Sequence, residues 1–548
     1  LSFTQCPHHS FKLYFQSNAG GDLIGKQVLF QNGQVGVVVT HRAPIVFVYT
    51  DMESFEDTAS GTVKVLDSFA SVGVKETIKS VDCFGRSTKP SEKLGEDTAK
   101  RAIFSPIPQV KDIALINSPL ITGVTMFDAL APIGKGQNML LIGNDVSDMR
   151  GYVCDFLSSQ SKKTRCIYAA TSGKEEVTKL LEDYGVLEDI IVVSEETNKD
   201  ADEVSQAAEA TVVAATACAI AESFALEKGE DTLVIIDNID QHKKLWDATT
   251  RVLVDVFGVD AVVKGDRDGG ASSEMRAFFS SLVQRSAQFN RKKGGGSVTL
   301  LLLTTIPKIL GVGKDAEFSP EDFKESPDKV KERLDLLVKR NVPLTASNLR
   351  KIQIPVPSAS EGLRRLSLQH VDDLISMSDG QIWLDEELKE GGRLPAMNFQ
   401  RSVTRIGIGA DTQSRADAAA VRRVVEGLRL DLSQAEYMDG ADVESKASVK
   451  QIQNARAWLL AMHQPPASGG RLLSESCAIL LAASKGYLGG SVNDGKVAGT
   501  KEGEKLVNSL IEYIKTNAAS AMKEIDSSQD LTSSAGDDIE DAIKSFFA

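Results

Sequence analysis

The sequence predicts a multidomain protein: a shortened N-terminal β barrel, an α/β domain on a largely parallel sheet, and a C-terminal α-helical bundle. Three observations predict this order. Short β-rich runs broken by turns fill about Asp22 to Thr88. Apolar strand runs alternate with amphipathic helices from about Leu115 to Gly409. Beyond about Asp411, nearly every segment carries an apolar stripe at helical spacing. The division is then an irregular N-terminal segment over 1–21, a truncated barrel over 22–90, an α/β domain over 91–410 and a helical domain over 411–548, with a helical insertion at about 307–366.

Within the first β region, Gln27 to Phe30 and Val35 to Thr40 flank Asn32-Gly33, a strong hairpin signal. Ile45 to Thr50, Thr62 to Leu66 and Glu76 to Cys83 continue the strand series. The segment before them has no clear period; Leu13 to Ala19 resembles the remnant of a protease-cleavage tag and is left out of the fold. In the α/β domain the expected strands are Asn138 to Gly143, Thr164 to Ala169, Asp189 to Val193, Asp231 to Asp237 and Ser297 to Thr304. The expected helices are Lys174 to Tyr184, Asp202 to Leu226 and Ser272 to Asn290. In the insertion, Ser326-Pro327 can start a helix on which Val330, Leu334, Leu337 and Val338 recur at helical spacing. The C-terminal stripes lie in Ala418 to Leu432, Val449 to Met462 and Leu472 to Leu488.

A chain of 548 residues can hold roughly two to four domains. Its 42% hydrophobic and 25% charged residues are ordinary for a soluble globular protein. A net charge of −14 argues against broad binding to nucleic-acid phosphates. The apolar run Val298 to Leu303 is too short to cross a bilayer, so membrane association is expected only indirectly, through a complex. The six cysteines form no C-x-x-C pair and read as reduced and mostly buried, and the six histidines show no metal-ligand spacing, so no metal site is expected from either.

The stretch Thr122-Gly123-Val124-Thr125-Met126-Phe127-Asp128-Ala129-Leu130-Ala131-Pro132-Ile133-Gly134-Lys135-Gly136-Gln137 resembles the entry to the nucleotide domain of F-type ATP synthase α subunits, T-G-I-K-A-V-D-x-L-V-P-I-G-R-G-Q. The resemblance extends through Ser80 to Arg86, Cys166 to Ala169, Ile190 to Ser194, Leu282 to Ala287, Val371 to Leu384 and Ser402 to Gly407. It implies a RecA-like P-loop-type nucleotide domain in the centre. Gly486-Tyr487-Leu488 and Glu512 to Asn517 are similar to the family's C-terminal domain, the latter in its plastid and cyanobacterial form. That tail implies a chloroplast location on the stromal side of the thylakoid, with the matrix side of the mitochondrial inner membrane as the alternative.

Where the family has the phosphate loop G-D-R-Q-T-G-K-T, this chain reads Gly143-Asn144-Asp145-Val146-Ser147-Asp148-Met149-Arg150. The first glycine stays, while Asp148, Met149 and Arg150 replace the second glycine, the lysine and the threonine. A working loop needs the lysine on the β/γ oxygens and the hydroxyl on Mg²⁺. Each lost charge-assisted contact is worth ~1.5–3 kcal/mol, or about ten- to a hundredfold in affinity. ATP or ADP binding, and Mg²⁺ with it, is therefore expected to be weak or lost, with Arg150 supplying a displaced positive charge. Asp237 falls on the family's Mg-holding acidic position, although an Asp closing a strand is also a routine cap. Gln464 matches one of two adenine-contacting glutamines; the other is Pro466. The family's catalytic β version needs a G-E-R motif, which Ala169 to Glu176 does not reproduce, so hydrolysis by this chain alone is not expected.

Arg405 falls on the α-subunit arginine that, in the family, reaches across an interface to the γ-phosphate held by a β subunit. A surface ion pair is the plainer reading of the same residue, and Arg393 is a weaker companion. The resemblance thus implies a non-catalytic α-like component of a proton-translocating ATP synthase, partnered by β-like and further α or γ subunits. Two alternatives use the same fold: an assembly or regulatory factor that binds β subunits, and a structural subunit of another organellar complex.

Overall fold

The computed structural model describes residues 2–3, 11–15, 23–30, 33–42, 45–50, 63–73, 77–88, 100–160, 164–195, 202–259, 270–307, 318–323, 328–339, 342–345, 348–349, 354, 359–405, 428–429, 432–434 and 446–548. They divide into one unit of 1–304 with 377–548 and a second of 305–376.

At the centre of the first unit is a mainly parallel sheet. In spatial order its strands are Val403–Thr404, Gly380–Trp383, Asn138–Gly143, Ser297–Thr305, Asp231–Asp237, Thr164–Ala170, Ile190–Ser194 and Ser80–Val81. The five strands expected of this domain form within a residue of the predicted limits. Their side chains are buried on both faces, which is why they read as unbroken apolar runs rather than as alternation. The helical segment Glu203–Lys228, whose α-helical part is Glu203–Ser223, is long and apolar enough to cross a membrane, yet it is packed inside the protein against this sheet. Asp202 caps it by accepting from Val204 N and Ser205 N, each at 3.1 Å.

Two expectations need correction here. The helix predicted to run from Ser272 to Asn290 stops at Val283, and Ala287–Gln288 pairs antiparallel with Val298 and Ser297. The cause is Arg285, whose side chain is buried against Glu222, so the chain turns inward where helical spacing would have carried it on. Among the described residues of Glu76 to Cys83, the one strand is Ser80–Val81, which runs parallel to Val192 and Val193 at the edge of the central sheet rather than in the N-terminal one. The following turn is built on Asp82, whose carboxylate accepts from Phe84 N and Arg86 N.

The N-terminal strands form a six-stranded antiparallel sheet in the order Ser2–Phe3, Phe11–Phe15, Ile45–Tyr49, Val35–Arg42, Lys26–Leu29, Lys64–Phe69. The hairpin expected around Asn32-Gly33 is present; Asn32 itself lies outside the described residues, and Gly33 has φ +86°. Phe11–Phe15, inside the stretch expected to be irregular, pairs along its whole length with Ile45–Tyr49, a full set of ladder bonds that an aromatic-rich run favours. Among the described residues, Ser2–Phe3 and Lys64–Phe69 do not pair with each other, so these residues establish a sheet.

Helices Lys446–Met462, Leu473–Ser484, Lys501–Asn517, Ala519–Ser528 and Ser533–Phe547 pack on one another and share a continuous core with the α/β domain. The stripe Leu472 to Leu488 breaks after Ser484, and Ala418 to Leu432 lies largely outside the described residues. In the second unit, helix Asp328–Lys339 forms where the insertion's spacing placed one. Leu334 packs there with Phe323, Leu344, Leu349 and Ile354 in a small core, whereas Val338 is exposed. Five described cysteines are buried and free, and Cys6 lies outside the described residues.

A buried ion triad locks the helix Glu203–Ser223 to its surroundings. Arg285 Nε donates to Glu222 Oε1 at 2.6 Å and Arg101 Nε to Glu222 Oε2 at 2.5 Å, while Arg285 Nη1 reaches the carbonyls of Ile103 and Ala215. Burial alone would raise the Glu222 carboxyl; Arg285, then Arg101, overcome it and hold the group below its ordinary range. We expect Arg285→Met to cost ~3–5 kcal/mol in urea unfolding, because it removes the more deeply buried of the two cations on the Glu222 carboxylate. The depressed folded value gives stability that is full above the unfolded carboxyl range and is lost as pH falls through the folded value. Urea midpoints measured against pH should show this acid-side loss, and Glu222→Gln should remove that part of it.

Candidate functional site

The expected nucleotide site lies at the C-terminal edge of the central sheet, the usual place for a ligand in an open α/β fold. After Gly143 only Asn144 and Asp145 separate the strand from helix Val146–Ser159. The residues that would wrap a phosphate are therefore already in the helix. Asp145 is its N-cap, accepting from Ser147 N at 3.0 Å and Asp148 N at 3.3 Å. These backbone donors are the groups that a phosphate would engage at such a helix start. The chain's own carboxylate takes them instead.

Lys389 completes this arrangement, its Nζ lying 2.9 Å from Asp145 Oδ2 and 2.5 Å from Asp148 Oδ2. Burial opposes the Lys389 charge, but Asp148 and Asp145 more than offset it and raise its pKa. Asn144 Nδ2 donates to Glu386 Oε2 at 2.5 Å. The cavity left beside Gly143, Asp145 and Asp148 is about 10 Å³, on the order of one water.

Below this lid, the three substituted residues have separate fates. Asp148 pairs with Lys389. Met149 is fully buried in the core, where a Cβ added at Gly143 would meet its sulfur at 3.2 Å. Arg150 turns toward Asp237, its Nε donating to Oδ2 at 2.7 Å, with Nη1 3.4 Å from Glu176 Oε2. Tyr168 Oη donates to the same Asp237 oxygen at 2.7 Å. Burial disfavours the Arg150 charge, yet Asp237 raises its pKa overall. Burial and then Asp237 push the Tyr168 hydroxyl well up, so it stays a donor.

Gly143, Arg150 and Asp237 are thus brought to one edge, while Gln464 and Arg405 are not at that point. Gln464 is buried and fully employed: Nε2 donates to Gly123 O at 2.8 Å and to Gly469 O at 3.1 Å, and Oε1 accepts from Thr125 N at 3.3 Å. Arg405 is exposed beside the strand Val403–Thr404, held by Arg405 N to Asp379 O at 2.8 Å and Nη1 to Ser378 O at 3.2 Å. Register places it at the other end of the sheet: Thr404 pairs with Gly380, which precedes the Gln381 partner of Leu140. Five residues of strand, about 16 Å, separate that level from Gly143. Arg393 lies over the Phe399 ring, 4.8 Å from its centroid.

Lys389, Tyr168 and Asp145 are the working members that the motif did not reveal. Asp145 carried a usable signal, an Asp just before a helix. Lys389 carried none, being 244 residues from its partner.

The residues do not fit Mg-nucleotide. Asp237 Oδ1 is buried without a hydrogen-bond partner among the described residues, but the Arg150 guanidinium on the adjacent oxygen puts positive charge where a dication would sit. The phosphate donors are capped and the space is closed.

Residues 123–308 match the family model described as ATP synthase alpha/beta family, nucleotide-binding domain. Over 544 residues the chain is 25% identical to ATP synthase subunit alpha 1 of Methylococcus capsulatus, covering 96% of this chain and 88% of the relative. It is 25% identical to ATP synthase subunit alpha of Acetivibrio thermocellus, over 83% of this chain and 76% of that one. With the subunit alpha of Clostridium botulinum it shares 26% identity over 82% and 74% of the two chains. The chain is F-type ATP synthase α-like in sequence, and its central domain is of the nucleotide-binding type.

Because Arg150 neutralises a buried carboxylate, Arg150→Ala is expected to destabilise the fold by ~3–5 kcal/mol. Asp237→Asn in that background should recover much of the loss, since the amide needs no counter-charge. Chemical denaturation of the two single variants and the double variant measures this coupling.

Proposed function

We propose that this chain is a non-catalytic, α-like component of an F-type proton-translocating ATP synthase whose own nucleotide site is closed by internal ion pairs. One observation carries the reading: Arg150 occupies Asp237 while Asp145 caps the donors that a phosphate would need. The fold keeps the α-like framework and replaces its ligand with its own side chains. ATP, ADP and Mg²⁺ then contribute little to its stability. The N-terminal sheet stands in for the barrel and the C-terminal helices for the bundle.

Arg405 is the residue proposed to act. At the far edge from its own chain's site and exposed, it is suited to reach a γ-phosphate bound by a neighbouring β-like subunit. A guanidinium there stabilises charge that develops on the transferred phosphoryl group, without touching this chain's broken loop. The partners are β-like subunits together with further α or γ subunits. The tail motif supports the stromal side of the thylakoid, with the mitochondrial matrix side as the alternative. The second compact unit, 305–376, favours one other reading, an assembly factor that uses this extra surface to hold β subunits.

Native mass spectrometry of the gently purified protein should find β-like subunits in near-equal ratio. Transient, substoichiometric β would favour the assembly factor, and absence of every ATP synthase subunit would sink both readings. In the free protein, Mg-ATP is expected to leave the melting temperature unchanged, whereas a site filled at about a hundred times its Kd would add ~2.7 kcal/mol. In the assembled complex, Arg405→Ala should lower kcat on the order of a thousandfold with KM little changed.

A further inference from the structure

A second region of the first unit holds charge and space that the closed nucleotide site does not use. Between the N-terminal sheet and the helices of the α/β domain lies a cavity of about 930 Å³, at the upper end of the range for small-molecule pockets. Its walls are largely apolar, with Phe104, Trp246 and Phe278 supplying aromatic surface. Arg42 enters from the N-terminal sheet and lies 4.0 Å above the Trp246 ring. Its Nη1 donates to Thr250 Oγ1 at 2.7 Å, and Nε and Nη2 lie 3.4 Å from the half-exposed Glu274 carboxylate. Arg285 forms part of the opposite wall; it is 1% exposed, and its Nη2 has no hydrogen-bond partner among the described residues.

Among the described residues, the charges here form two separate groups. Arg42 pairs with the half-exposed Glu274, while Arg285 in the wall shares the single Glu222 carboxylate with Arg101, both of which lie outside the wall. The second group carries one net positive charge and leaves Arg285 Nη2 unbonded. An apolar chamber with a cation on a half-exposed partner and a buried, unbonded guanidinium N–H calls for a ligand with one negative head and an apolar body.

We propose that this cavity is a binding site for a monoanionic amphiphile, a fatty or aromatic carboxylate, with its head toward the Arg42 and Arg285 walls and its body against Phe104, Trp246 and Phe278. Glu274 competes with the ligand for Arg42. Removing that competitor strengthens binding, the opposite of what losing a contact residue does.

The test uses the full chain, with Trp fluorescence and calorimetry, and three probes below their aggregation limits: decanoate, 3-phenylpropionate and the neutral decanol. At least one carboxylate is expected to bind saturably, one per chain, and the better of the two identifies the body as aliphatic or aromatic. Decanoate should bind about tenfold more tightly than decanol if the aliphatic arm saturates. Glu274→Gln, a change at an exposed carboxylate, should tighten carboxylate binding about two- to fivefold. Ala277→Trp, which fills the cavity from an exposed helix position, should abolish it without changing the melting temperature. Saturation by neither carboxylate would overturn the site. Equal affinity for decanoate and decanol, or no effect of Glu274→Gln, would overturn the anionic assignment.

Discussion

A carboxylate that ends a buried strand has to be neutralised by something, and in this chain Arg150 does it. Asp237 is fully buried at the end of Asp231–Asp237, with Arg150 and Tyr168 both bonded to one oxygen. A fixed guanidinium supplies the compensation permanently, and the neighbouring geometry follows from it. Helix Val146–Ser159 starts early enough to place Arg150 one turn in, which brings Asp145 to the cap position and Met149 into the core. Lys389 then pairs with both carboxylates that this start exposes. The closure is one self-consistent set of charges rather than a list of lost contacts.

The entry motif explains why the framework survives that change. Gly123 adopts φ +75°, and a Cβ there would collide with Ser159 and approach Gly470. Gly136, at φ +95°, would collide with the Gln288 backbone. Both glycines therefore hold chain crossings, independent of any phosphate. Thr125 Oγ1 lies 2.9 Å from Ser476 Oγ, and Arg471 N donates to Gly123 O. Through Gln464, the residue matching an adenine contact, the same motif is bonded to the C-terminal helical region. Asp155 adds to this junction by accepting from Ala467 N and Gly469 N. A motif that reads as nucleotide machinery is thus also the joint between two parts of the core.

That dual use sets how much of the structure was legible. Buried parallel strands announce themselves as apolar runs, so Asn138–Gly143, Asp231–Asp237 and Ser297–Thr305 could be placed nearly to the residue. The departure of Asp148, Met149 and Arg150 from the phosphate-loop pattern was legible too, because it depends on residue types at adjacent positions. What pairs at that helix start was not, since the Lys389 and Asp237 pairings join residues 244 and 87 positions from their partners. Helical periodicity failed at Arg285 for a related reason. Apolar spacing describes which face is dry, and it is blind to a buried arginine whose partners are Glu222 and two distant carbonyls. Phe11–Phe15 was missed because its pairing with Ile45–Tyr49, not its own period, makes it a strand.

Arg405 belongs to a different physical problem from the closed site. It is tied by backbone and side chain to Asp379 and Ser378, at the level of Asn138. Asn138 in turn donates to the Asp379 carboxylate and accepts from Asp379 N. Gln137 reaches Asp379 O and Thr404 Oγ1 from the same side. None of these bonds passes through Asp145, Arg150, Asp237 or Lys389. The Asp145, Arg150, Asp237 and Lys389 cluster and Arg405 thus stand at opposite ends of one sheet, sharing a scaffold and none of the side-chain contacts named here.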